Sequence, residues 1–175
     1  MTEADILHWI RDTSLDVAVR QSRWMFATGE TLHFLGLSLL VGGILIVDLR
    51  ILGFLRNISM RSALSFLPFV IIGFVINMLT GILFFAADPM MYWPNPAFKL
   101  KMFLILLAGL NALVFTLFEH RRALAIGEDD QATAFMKVSA GLSLSFWLLV
   151  LLLGRLLPAF EGSTSFLRGA RHDRR

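Results

Sequence analysis

The chain has 175 residues, 57 % of them apolar and only 17 % charged, with sixteen Lys and Arg against thirteen Asp and Glu. A soluble domain covers itself with about 25 % charged residues, so this composition excludes an ordinary water-soluble globule. Cysteine is absent, which excludes disulfides, thiolate metal sites, iron–sulfur clusters and cysteine nucleophiles.

In chain order, residues 1–23 set Ile6, Leu7, Trp9, Ile10, Leu15 and Val17 among charges, the pattern of an amphipathic segment lying in the headgroup region. Glu3, Asp5, Asp12 and Asp16 stand where a secretory signal would be basic, so the first span is expected to stay in the mature protein. Apolar runs follow at 24–47, 66–87, 98–118 and 138–157. Each is long enough, at about 1.5 Å per residue, to cross about 30 Å of hydrocarbon. Pro68 suits the first turn of the second run, and Tyr92-Trp93-Pro94-Asn95-Pro96 reads as an interfacial loop before the third. The fourth run is expected to stop at Arg155 and Pro158.

The expected fold is therefore all-α, a four-helix transmembrane bundle over residues 24–158. A short N-terminal amphipathic interfacial helix (1–23) precedes it and a basic, mobile tail (159–175) follows. The basic residues sit at helix ends rather than in an aromatic-interleaved patch, so the expected partner is the lipid bilayer and not nucleic acid. Arg50, Arg56, Arg61, Arg121, Arg122 and Lys137 mark one face of the bundle, and their bias puts that face inside and both termini outside; the basic C-terminal tail argues the other way.

Polar groups within spans are costly and tend to face the bundle interior, where they often mark a site. Helix one offers Glu30 and His33, and His33 shares a stripe with Gly29, Gly36 and Gly43. Such glycines let a partner helix or a flat cofactor approach the backbone, and they leave room for a homo-oligomer or another membrane partner. Helix two carries Gly73, Asn77 and Gly81 at spacing four. In helix three Lys101 should face inward with Ala108 and Ala112, whereas Lys99 should snorkel outward. Helix four places Arg155 on the stripe of Gly141 and Leu148.

Two readings of His33 stay open: an axial ligand of haem iron, or a buried histidine bonded to Glu30 or Asn77. His120 lies at the far end of helix three and cannot share one iron with His33. Glu30 and Lys101 read as a buried ion pair that fixes packing. Glu30-x-x-His33 also has di-iron spacing, but no span supplies the further carboxylates such a site needs.

The stretch Glu30-Thr-Leu-His33-Phe-Leu-Gly36, running on through Gly42-Gly43 to Asp48-Leu49-Arg50-Ile-Leu-Gly53, resembles a family of small bacterial four-helix membrane proteins known as a domain of unknown function. Asn95-Pro96-Ala97-Phe98 before Lys101, the run Ala108-Gly109-Leu-Asn111-Ala-Leu-Val-Phe115, and Gly154-Arg155 complete the likeness over residues 5–158. More distantly the layout is similar to the copper-resistance D membrane domain and to small four-helix membrane protoporphyrinogen oxidases. That resemblance implies a bacterial inner-membrane protein with haem b or a porphyrin near His33 and Lys101. Arg155 would meet its propionates, and Glu30, Asn77 and Asn111 would give buried polar support. The chain departs from the pattern at Thr116, where a histidine often follows the Asn111–Phe115 run. The functional expectation is a multi-pass membrane protein with a haem- or quinone-linked redox role. The alternatives are a small transporter or proton path, and a structural subunit.

Overall fold

The computed structural model describes residues 23–127 and 130–172, with side chains from Trp24 to Leu157 in that range. The amphipathic segment expected over 1–23 therefore lies outside the described residues except for Arg23. The chain forms α1 (Arg23–Leu52), α2 (Met60–Leu64), α3 (Leu67–Ala87), α4 (Pro89–Tyr92), α5 (Pro96–Phe118), α6 (His120–Leu124) and α7 (Ala134–His172), and no strand occurs among the described residues. Among the described residues four stretches, Trp24–Leu52, Met60–Ala87 (α2 and α3 together), Pro96–Phe118 and Ala134–Leu157, are long and apolar enough to cross a membrane. The fold is an all-α four-helix bundle, and the protein is a multi-pass membrane protein.

Local sequence explains most of the helix ends. Asn95 caps α5, its Oδ1 accepting from the Ala97 N–H at 2.9 Å, and Pro96 follows at a position that needs no N–H. Asn95 is buried because its Nδ2 also donates to the Leu157 carbonyl of α7 at 3.2 Å, so one side chain starts a helix and ties it to its neighbour. Asp88 caps α4 in the same way, accepting from the Met91 N–H.

Two ends differ from expectation. Helix α1 runs past residue 47 to Leu52, because Asp48 and Arg50 are buried on it instead of leaving into the headgroups. It stops at Gly53, whose φ of +94° is left-handed. The N–H of Phe54 then reaches the Leu49 carbonyl at 2.9 Å and that of Gly53 the Arg50 carbonyl at 3.1 Å, the paired bonds of a Schellman stop. At the other terminus, the α7 backbone stays helical through Pro158 to His172, so the segment expected to leave the helix there continues it.

Helix α1 is the centre of the bundle, packed between α3 and α7, while α5 packs on α7. The α1–α3 contact is the closest. A Cβ on Gly73 would lie 2.5 Å from the Gly36 carbonyl oxygen and 2.6 Å from the Leu40 nitrogen, so here backbone meets backbone. Helices α3 and α5 meet through Phe85 and Phe98, stacked with centroids 5.6 Å apart and planes at 10°, and α3 meets α7 through Phe74 and Trp147. Phe34, Ile71, Leu106 and Leu152 point outward, as lipid-facing side chains do.

The most completely buried cluster lies at the end that carries the connectors. There Val47, Ile51, Met60, Leu64, Ala123, Ala132, Met136 and Ala140 form a core of the kind found in soluble proteins, closed by the short helices α2 and α6. Elsewhere lipid replaces water as the solvent for the apolar faces, and the helices are held by close packing and a few interhelical hydrogen bonds.

Candidate functional site

The first half of α1, the second half of α3 and the first half of α5 share one end of the antiparallel bundle, and His33, Thr80 and Lys101 are brought toward each other there. His33 is half-buried on α1, and its Nδ1 lies 2.7 Å from Thr80 Oγ1 on α3. Its ring leans on Phe84 with centroids 5.6 Å apart. Thr80, 7 % exposed, has its own hydroxyl directed at the Ile76 carbonyl at 2.7 Å.

A hydroxyl carries one proton and two lone pairs, so Thr80 Oγ1 can donate to the Ile76 carbonyl while it accepts from a neutral His33 protonated on Nδ1, or donate to Nδ1 of the other tautomer. Lys101 is half-buried, lies within electrostatic range of the ring, and extends its Nζ toward Gly154 of α7, reaching 3.4 Å from where a Cβ on that glycine would stand.

The histidine's partner is thus neither Glu30 nor Asn77. Glu30 is exposed on the outer side of α1, and no ion pair joins it to Lys101 among the described residues. Asn77 is half-buried but donates from Nδ2 to the Gly73 carbonyl of its own helix at 3.0 Å, with its amide against Gly36. Arg155 is exposed. Asn111 is half-buried elsewhere and makes a reciprocal pair with Ser139 of α7: its Nδ2 donates to the Ser139 carbonyl and its Oδ1 accepts from Ser139 Oγ, each at 3.0 Å. Lys99 is exposed, with Nζ 5.5 Å from the centroid of the Trp93 ring. His120 sits beyond α5, which separates it from the Lys101 end by about 25 Å at the helical rise.

Sequence reading missed Thr80. The signal was present, because Thr80 lies seven residues after Gly73 and so on its face, the only hydroxyl between Leu67 and Ala87. A single hydroxyl in a span attracts little notice, since a threonine can satisfy itself on its own helix.

The glycine stripe is spent on packing. Cβ atoms on Gly36 and Gly43 would fall within 2.6 Å of Asn77 and 2.5 Å of Val70, and one on Gly29 would touch Leu83 and Phe84 at 3.3 Å. A porphyrin laid along that stripe would need the volume that α3 occupies. With Gly29, Gly36 and Gly43 all closed off by α3, the glycine stripe leaves no room for a flat ring between α1 and α3.

Beside the His33–Thr80 pair, the outer surface carries an apolar groove of about 500 Å³ between α1 and α3. Trp24, Thr28, Gly29 and Leu32 form one wall, Leu79, Thr80 and Leu83 the other. Thr80 is therefore both the partner of His33 and a polar point in the groove wall. Compared with known proteins, the chain matches no family model, no curated protein and no solved structure.

Proposed function

We propose that the protein takes a lipophilic carbonyl compound of the quinone class from the bilayer into the groove at Trp24 and Thr80, in a redox-linked role. The observation that supports this reading is the hydrogen bond between His33 Nδ1 and Thr80 Oγ1, a polar pair set at the edge of an otherwise apolar groove. Small-molecule sites combine this kind of volume, roughly 300–1,000 Å³, with an apolar lining and few placed polar groups. A quinone tail would share the groove with lipid, while its carbonyl oxygen needs a donor. By rotating from Ile76, the Thr80 hydroxyl can give that donor, with His33 Nδ1 still within hydrogen-bond distance of the same oxygen.

The transport reading loses its graded polar line once Glu30 faces outward. For the structural-subunit reading, Gly29, Gly36 and Gly43 are taken up by α3, while Gly42 of α1 has nothing within 4 Å of an added Cβ.

Binding can be followed by tryptophan quenching in nanodiscs that contain graded mole fractions of a short-tailed quinone. A saturable component is expected that disappears in Trp24→Phe. Thr80→Val removes one hydrogen bond, of about 0.5–1.5 kcal/mol, and so should weaken binding about three- to tenfold, with Thr80→Ser restoring it. Quenching that rises linearly and is unchanged in Thr80→Val would refute the site. A Soret band in protein made with ample haem, lost in His33→Ala, would overturn the quinone reading in favour of haem.

A further inference from the structure

At the opposite end of the bundle, Arg50, Arg56 and Lys137 converge on one small cavity, with Asp130 as the single carboxylate that lines it among the described residues. Arg50 at the end of α1 is 4 % exposed, yet among the described residues no carboxylate lies within ion-pair distance of it. Its Nε donates to the Ile58 carbonyl, one of the five N–H donors that a guanidinium carries. Arg50 lines this small cavity of about 40 Å³, together with Arg56, Lys137, Asp130 and Gln131.

Each neighbour is held in a way that keeps the cavity positive. Gly53, left-handed at φ +94°, turns the chain so that Arg56 folds back over it and donates from Nε to the Gly53 carbonyl at 3.1 Å. Lys137 donates to Gln131 Oε1 at 3.2 Å, an uncharged partner that leaves the ammonium charge in place. Asp130 is tied to its own loop, accepting from the Gly127 N–H at 3.3 Å, and no ion pair joins it to the three cations among the described residues. Among the described residues that line the cavity, three are cationic and one is a carboxylate.

We propose that this cavity binds a phosphate group, and that the group is supplied by the headgroup of an anionic phospholipid. A buried guanidinium is strongly unfavourable until an anion meets it, and the planar fork of arginine matches two phosphate oxygens at once. The volume admits phosphate oxygens and has no room for a ring or a nucleoside. The cavity lies where α1 ends and α7 begins, the level at which a span leaves hydrocarbon and meets headgroups, and basic pockets between spans are suited to such lipids. A free phosphate ion would satisfy the same donors, so the source is a matter for experiment.

Full-length protein in an uncharged detergent is titrated with short-chain phosphatidylglycerol, short-chain phosphatidylcholine, and sodium phosphate against sodium chloride at equal ionic strength. Melting temperature is the readout, and native mass spectrometry shows retained lipid. Phosphatidylglycerol is expected to stabilise the protein saturably and phosphatidylcholine hardly at all. Stabilisation of the same size by inorganic phosphate would support the site and assign it to the free ion. Arg56→Gln combined with Lys137→Gln, at positions not fully buried, should weaken the effect at least tenfold, whereas Asp130→Asn should strengthen it. Arg50→Gln removes the central donor, but Arg50 is buried, so the double variant decides. The site is overturned if neither phosphatidylglycerol nor phosphate stabilises the protein, or if the effect survives unchanged in the double variant.

Discussion

Gly73 and Gly81 lie eight residues apart on α3, and a one-carbon change should separate them sharply. A Cβ at Gly73 would stand 2.5 Å from the Gly36 carbonyl and 2.6 Å from the Leu40 nitrogen, where real Cβ atoms essentially never come within 3.0 Å. The atoms in the way belong to the α1 backbone, which cannot rotate aside as a side chain does. Gly73→Ala must therefore move the two helices apart by at least about 0.5 Å, the difference between those distances. That gap weakens dispersion along the whole seam and stretches the 2.7 Å bond between His33 and Thr80. Overpacking of this kind costs about 1–3 kcal/mol. At Gly81 nothing lies within 4 Å of the added carbon, so Gly81→Ala should be neutral within about 0.5 kcal/mol. Gly36→Ala should fall between them, because its neighbours are the side chains of Asn77 and Ile76. Reversible unfolding in bicelles, measured by steric trapping, gives the free energies directly. Equal losses at Gly73 and Gly81, or a silent Gly73→Ala, would refute the packing described for α1 and α3.

Two further outcomes follow from polar contacts. Asn111→Ala removes both bonds of the reciprocal pair with Ser139, while Ser139→Ala removes only the hydroxyl bond. Interhelical hydrogen bonds in membranes are worth about 0.6 kcal/mol, so the asparagine variant should lose more, and adding Ser139→Ala to it should cost almost nothing; additive losses would count against the pairing. Since Glu30 faces outward, Glu30→Gln and Lys101→Met should act independently on the melting temperature, and recovery in the double variant would indicate an ion pair that this arrangement does not contain.

The positions of the spans were legible in the sequence because transfer into hydrocarbon is nearly additive over residues, and twenty apolar side chains in a row carry that signal whatever surrounds them. Helix ends at Pro68, Asn95 and Gly53 were set by residues that act on their own backbone, although the burial of Asp48 and Arg50 carried α1 five residues past its expected end at 47. What periodicity could not supply was the neighbour. It grouped Gly73, Asn77 and Gly81 on one stripe, but only the crossing of α1 over α3 decided that Gly73 meets backbone while Gly81 meets nothing. It placed Glu30 close to His33 in the chain, yet the histidine's partner is Thr80, 47 residues away, because α3 covers the face that carries the ring and leaves Glu30 outside. Arg155 and Lys101 looked alike as inward cations; the packing of α7 against α5 turned Lys101 toward Gly154 and left Arg155 on the surface. A sequence fixes which residues share a helix face, whereas the partner of each face depends on helix order and crossing angle, which arise only when all four spans pack together.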